Sequence, residues 1–412
     1  MRNSGLLWIL MGIMVMMDVY IFQVIRSLTQ QSNPKLKIAI TVVYWLIAVT
    51  ALLVMLAMPY LNEQNISRTV RTYLFAMLVG VFLSQFIASI FFLVDDLRRG
   101  ITWIVYKTQS KPPAHMEEGI SRSAFISWLG IAVGGGLLAT LVYGFSNKYN
   151  YQVLRRKLSF ANLPPAFKGL KIIHISDIHS GSFTDKDAVL KGVQKVLKEK
   201  PDLILFTGDL VNDRATEMDN YMDVFSQLKA PMGVYSTLGN HDYGDYVTWE
   251  SSAVKSSNLE RLKEIHGELG WRLLMNEHVQ LEKQGEKIAL IGIENWSAKG
   301  NFPKYGRLHD AYRGAEHLPF KILMSHDPSH WVAEVQESYR DIDLMLAGHT
   351  HGMQFGVEVP GFRWSPVQYM YKQWAGLYET GKQKLYVNRG FGFIGYPGRV
   401  GILPEITVLE LS

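Results

Sequence analysis

The sequence predicts an α-helical membrane module of four spans followed by an α/β sandwich, two sheets flanked by helices. Three observations predict this pairing. Long apolar stretches are confined to the first third of the 412 residues. The charge is divided the same way: residues 1–145 carry 11 Lys and Arg against 6 Asp and Glu, whereas the remainder carries 31 of each. Eleven of the twelve histidines follow residue 145, with His115 the exception. The organisation expected is therefore a membrane module at 1–145, a linker at 146–168 and a His-rich domain at 169–412.

The four stretches are Leu6–Ile25, Ile38–Tyr60, Thr72–Val94 and Ser123–Phe145. Each meets the ~20 helical residues needed to cross ~30 Å of hydrocarbon. They make the lipid bilayer the first expected partner. Lys and Arg in short loops set orientation. One side carries Arg26, Lys35, Lys37, Arg98, Arg99, Lys107, Lys111 and Arg122; the other carries Arg2, Arg68 and Arg71. This places the first and third loops in the cytoplasm and the following domain on the outer face of the cell membrane. The segment Ser121-Arg122-Ser123-Ala124-Phe125-Ile126 resembles a twin-arginine export signal lacking one arginine. Asp18 lies inside the first span, where a carboxylate is costly, and is expected to be protonated or hydrogen-bonded to a neighbour such as Gln85. A transport role would rest on Asp18 alone.

Composition excludes several classes. With no cysteine, there are no disulfides, thiolate metal sites or cysteine nucleophiles. The net charge of +5 lies wholly in the membrane module, so the following domain offers no basic face and nucleic acid is not an expected partner.

In that domain, short apolar runs read as strands at Lys171–Ile175, Leu203–Thr207, Val234–Leu238, Ile288–Ile293, Ile322–Met324, Leu344–Leu346, Leu385–Val387 and Ile406–Leu411. Helical periodicity marks Asp187–Lys200, with Thr184 as its cap, and also Thr216–Leu228, Ser257–Leu269 and Pro328–Glu337. Strand–helix alternation of this kind builds sheets covered by helices.

Five of these strands end in polar residues: Asp177-Ile178-His179, Gly208-Asp209, Gly239-Asn240-His241-Asp242, Ser325-His326-Asp327 and Gly348-His349-Thr350-His351. Sites in such sheets form at carboxyl strand ends. Two carboxylates, an amide and four imidazoles suit borderline ions such as Mn²⁺, Zn²⁺ or Fe²⁺ better than Mg²⁺ or Ca²⁺. Seven donors exceed one tetrahedral ion. Shared by two ions through one carboxylate, they leave open positions for a phosphoryl group and a water of lowered pKa.

The ordered series Asp-x-His, Gly-Asp, Gly-Asn-His-Asp, His, Gly-His-x-His resembles the calcineurin-like metallophosphoesterases over about residues 168–412. Gly352–Gly356 and Leu385–Ile406 look like its membrane-tethered subgroup. The resemblance implies two divalent ions and hydrolysis of a phosphoester or pyrophosphate by a metal-activated hydroxide, with a lipid-linked envelope substrate among the candidates. It implies Asp177, His179, Asp209 and His351 around one ion and Asp209, Asn240, His326 and His349 around the other. His241 would be the catalytic histidine, oriented by Asp242. One departure is Asn212, where the family often carries a second aspartate; Asp213 follows it. The other histidines, His174, His266, His278, His309, His317 and His330, are expected to be structural, with His174 the one that leans toward the site. A competing reading is a catalytically silent, metal-binding membrane sensor. The aromatic stretch Phe355–Tyr378 is expected either to pack onto the sheet or to form an apolar wall beside the site.

Overall fold

The computed structural model describes residues 4–61, 66–108, 122–300, 302 and 304–412. Arg2, Lys111, His115 and Ser121 lie outside the described residues. The chain divides into two compact units, Met1–Tyr143 and Gly144–Ser412.

The first unit is helical: α1 (Ser4–Leu28), α2 (Pro34–Ala57), α3 (Arg68–Thr108) and α4 (Arg122–Gly144). All four are long and apolar enough to cross a membrane. At 41 residues α3 runs well past the span expected at Thr72–Val94. A short polar patch follows Val94, where Arg98 and Arg99 bind Asp95, and beyond it the helix turns apolar again at Ile101, Trp103, Ile104 and Val105, so the apolar span runs to Val105. Asp18 is buried, as expected of a hydrogen-bonded carboxyl. Gln85 donates to its Oδ1, and Tyr44 donates to its backbone carbonyl at 2.8 Å.

The second unit is a sandwich of two six-stranded sheets. In spatial order the first sheet holds β1 (Gln152–Leu158), β14 (Glu405–Leu411), β2 (Lys171–Ile175), β3 (Leu203–Thr207), β4 (Val234–Thr237) and β5 (Arg272–Leu273). The second holds β12 (Gly376–Thr380), β13 (Gln383–Val387), β9 (Leu344–Ala347), β8 (Lys321–Met324), β7 (Glu286–Gly292) and β6 (Glu277–Lys283). A separate hairpin pairs β10 (Val357–Val359) with β11 (Phe362–Trp364).

Side chains alternate across each strand. Leu203 and Leu205 meet Ile322, Met324, Leu344 and Leu346 between the sheets. Ile204 and Phe206 face outward to Val189, Val193 and Val196 of α5 (Lys186–Lys198). Met345 and Ala347 do the same on the second sheet beneath Trp331. Strands buried on both faces read as unbroken apolar runs, which is why the central ones were visible in sequence.

Four details differ from expectation. The stretch 146–168 is not all linker: β1 pairs in parallel with β14, and its Arg155 binds Glu199. Asp185, not Thr184, caps α5, accepting from the Ala188 amide at 2.9 Å. Thr216–Leu228 holds only two short turns, Ala215–Met218 and Met222–Phe225. Pro328–Glu337 includes a wide π-turn at Trp331–Val335.

Candidate metal centre

The parallel strands β2, β3 and β4 of one sheet and β8 and β9 of the other deliver all seven expected donors to adjoining strand ends. The turns that follow are tight. Asp177, His179, Asp209, His349 and His351 all have left-handed backbone, with φ between 49° and 71°. Non-glycine residues adopt this region rarely and at a cost, typically where surrounding structure forces a functional geometry. Glycines let the carboxylates approach: a Cβ on Gly348 would strike the Asp177 carboxylate, and one on Gly239 would strike that of Asp209.

Two donor clusters result. Asp177, His179 and His351 form one; Asp177, Asp209 and His326 form the other. All five are buried. Asp209 has one oxygen committed, since Oδ1 accepts the His241 amide at 2.9 Å. Its Oδ2 sits 3.6 Å from His179 Nε2 and 3.1 Å from His326 Nε2, reaching both groups. Asp177 accepts the His349 amide and lies 3.3 Å from His351 Nε2.

Hydrogen-bond partners fix the remaining tautomers. His326 Nδ1 donates to the Thr207 carbonyl at 2.7 Å, which turns Nε2 to Asp209. That nitrogen is buried without a hydrogen-bond partner among the described residues. Tyr371 Oη donates to Asp327 Oδ2 at 3.0 Å and therefore accepts from His349 Nε2 at 2.9 Å. The His349 Nδ1 lone pair then faces Asn240 Oδ1 at 2.8 Å. The other end of the Asn240 amide lies 2.8 Å from Tyr246 Oη, so Asn240 bridges His349 and Tyr246. His179 and His351 bring their Nε2 atoms within 3.0 Å of each other. Arg399 donates to His351 Nδ1 at 3.2 Å, so in the neutral ring Nε2 carries the hydrogen that meets His179. In each cluster imidazole nitrogens and carboxylate oxygens converge on one small space, a donor set that fits divalent cations.

The carboxylates call for positive charge beside them. Burial opposes charge on His326, but the carboxylates of Asp209 and Asp177 outweigh it and raise its pKa to about 10. Burial likewise opposes ionisation of Asp177, yet His351 and His326 hold it below the usual carboxylate range. For His179 and His351 burial dominates and pushes both down, toward the neutral form that ligates.

Asp242 does not orient His241 in the way expected from sequence. Its carboxylate accepts the amides of Asp209, Gly239 and Leu210, each at 2.8 Å, and shapes the backbone beneath the donors. Burial, and then the nearby Asp209, raise it to about 7. The His241 ring is instead held by the Asn212 carbonyl, 2.8 Å from Nδ1. It lies edge-on to His179 and against Tyr246, with centroids 4.9 and 4.4 Å away. Tyr246 was not singled out in sequence, and Asp327 and Tyr371 were named only as part of a strand-end motif and of the aromatic stretch, with no role. Asp327 had a signal in its place beside His326 and Tyr371 one in its stretch; Tyr246 had none. His174 bonds Thr207 Oγ1 at 2.9 Å, one layer behind His326.

Residues 170–353 match the family model for calcineurin-like phosphoesterases, and residues 1–148 match that of a probable calcineurin-like phosphoesterase transmembrane domain. The chain belongs to the calcineurin-like metallophosphoesterases. It is a multi-pass membrane protein of that family. An uncharacterized metallophosphoesterase of Bacillus subtilis, YkuE, is 28% identical over 301 residues, 71% of this chain and 98% of that protein. A transmembrane protein with metallophosphoesterase domain from Danio rerio is 27% identical over 304 residues, covering 72% of this chain and 65% of its own length. The Escherichia coli phosphodiesterase YaeI is 28% identical over 267 residues, 63% of this chain and 88% of that one.

Proposed function

We propose that this metallophosphoesterase binds two divalent ions, Mn²⁺ foremost with Zn²⁺ or Fe²⁺ as alternatives, and hydrolyses a phosphoester or pyrophosphate, lipid-linked, on the outer face of the membrane. The observation that carries the reading is the convergence of imidazole and carboxylate ligand atoms at buried strand ends. Asp177, His179, Asp209 and His351 would hold one ion. Asp209, Asn240, His326 and His349 would hold the other, with Asp209 shared. When bound, such ions neutralise phosphoryl charge and lower the pKa of a water.

The chain's own groups do the rest. Donation from His241 Nδ1 to the Asn212 carbonyl leaves Nε2 to carry a proton to the departing oxygen. Asp242 keeps the Asp209 turn in shape through backbone amides. A panel of aryl monoesters, diesters, nucleotide pyrophosphates and lipid-linked phosphates, offered to the Mn²⁺-loaded protein in detergent, tests the activity. Turnover is expected on at least one class, highest on the lipid-linked one; silence on all of them with every metal would return the protein to the sensor reading.

Tyr371 should position His349 rather than touch substrate. Removing its hydroxyl (Tyr371→Phe) is expected to weaken metal binding about 10- to 100-fold, read by metal titration with the fold intact. Unchanged affinity would take Tyr371 out of the account.

The outward orientation rests on the eight-to-three loop count. A reporter that works only outside the cytoplasm, fused after Ser412, is expected to be active. Activity of a cytoplasmic reporter at the same place would invert the topology.

A further inference from the structure

The Phe355–Tyr378 stretch splits into two kinds of aromatic residue. Tyr371 and Trp374 are buried, with Trp374 packed over Ile402 and Val367. Phe362, Tyr369 and Met370 are exposed at 56%, 79% and 62%.

The hairpin β10–β11 explains the split. Its register pairs Val357 with Trp364, Glu358 with Arg363, and Val359 with Phe362. Opposed residues share a face and the faces alternate, so Val357, Val359, Phe362 and Trp364 lie on one side and Glu358 and Arg363 on the other. The charged side makes its contacts with the protein, although Glu358 itself remains 36% exposed. Glu358 binds the buried Arg389 at 2.6 Å, and Arg363 stacks on Trp374 with its charge 4.9 Å from the ring centre. The apolar side faces out, with Val357 and Val359 exposed at 45% and 53%. A hairpin standing in water places these residues the other way round.

The hairpin also springs from the place where the chain arrives from its last span. Gly144, the first residue of the second unit, accepts from the Arg399 amide at 2.9 Å. Val400 in turn bonds Gln354 and Gly356, at 2.8 and 2.9 Å, and β10 begins at the next residue. Two strand spacings and one short hairpin keep the apolar face within roughly 20 Å of that exit point.

We infer that the outward face of β10–β11, with Tyr369 and Met370 beside it, is a lipid-bilayer contact that seats in the interfacial zone of the membrane carrying this chain. Valine and phenylalanine enter the acyl boundary, while Trp364 and Tyr369 suit the headgroup layer. The inference rests on the membrane tether and not on the phosphoesterase reading, so either can fail alone.

The chain has no cysteine, so a single Val359→Cys change gives one labelling site on a full-length protein. An environment-sensitive fluorophore there, in phosphatidylcholine vesicles containing spin-labelled lipid, should shift to the blue. It should be quenched several-fold more than the same label at Lys382→Cys, in the exposed β12–β13 turn. Quenching no greater than at Lys382 would overturn the inference. So would a blue shift that disappears as the protein is diluted in lipid, because a second copy and not the bilayer would then cover the face.

Discussion

Replacing Asp209 by asparagine is expected to strip metal from both positions and reduce turnover by at least about 10³-fold, a loss of roughly 4 kcal/mol in transition-state stabilisation. The residue is wholly buried, and its two oxygens have separate tasks. Oδ1 holds the His241 amide, and Oδ2 lies between His179 Nε2 and His326 Nε2. An amide conserves the shape but removes the charge that both proposed positions share. Depending on how it turns, it also points donors at His326, whose Nδ1 is already occupied by Thr207. Metal content by mass spectrometry of the purified protein checks this directly. Retention of both ions in Asp209→Asn would refute the shared-carboxylate assignment.

His241→Ala should separate chemistry from metal binding. Its ring touches the site from the side, fixed by Asn212 and packed on Tyr246, and only its backbone amide bonds Asp209. Metal content should therefore match wild type while kcat falls about 10²–10⁴-fold, the range for loss of a general acid. The loss should be larger for an alkoxide leaving group than for nitrophenolate, which departs without help. Equal losses on the two substrates would assign His241 to phosphate binding instead of proton delivery.

Much of this site was legible because each donor motif closes an apolar run buried on both faces. The strands β2, β3, β8 and β9 could be read from Leu, Ile and Val alone, and their ends followed. The edges were harder. Edge strand β1 carries Arg155, Arg156 and Lys157 in a row, all exposed, and resembles a linker; β6 alternates as Glu-His-Val-Gln-Leu-Glu-Lys, half of it toward solvent. Neither has the composition of a core strand. The support for the donors was less visible still. Carbonyls of Thr207 and Asn212 and amides around Asp242 belong to the backbone and leave no mark in composition. Tyr371 reaches His349 from 22 residues away, within an aromatic stretch whose buried and exposed members look alike in sequence. The long α3 was cut short in the sequence reading because the charged patch Asp95–Arg99, paired within the helix, interrupts the apolar run before it resumes at Ile101.

The most direct test of the central claim is the number of divalent ions bound per chain. Full-length protein in detergent, dialysed against Mn²⁺ and passed over a desalting column, should retain two ions, and His351→Ala should retain one, because His351 serves only the position built from Asp177, His179 and Asp209. One ion in the wild type, or an unchanged count in His351→Ala, would contradict the two-ion centre.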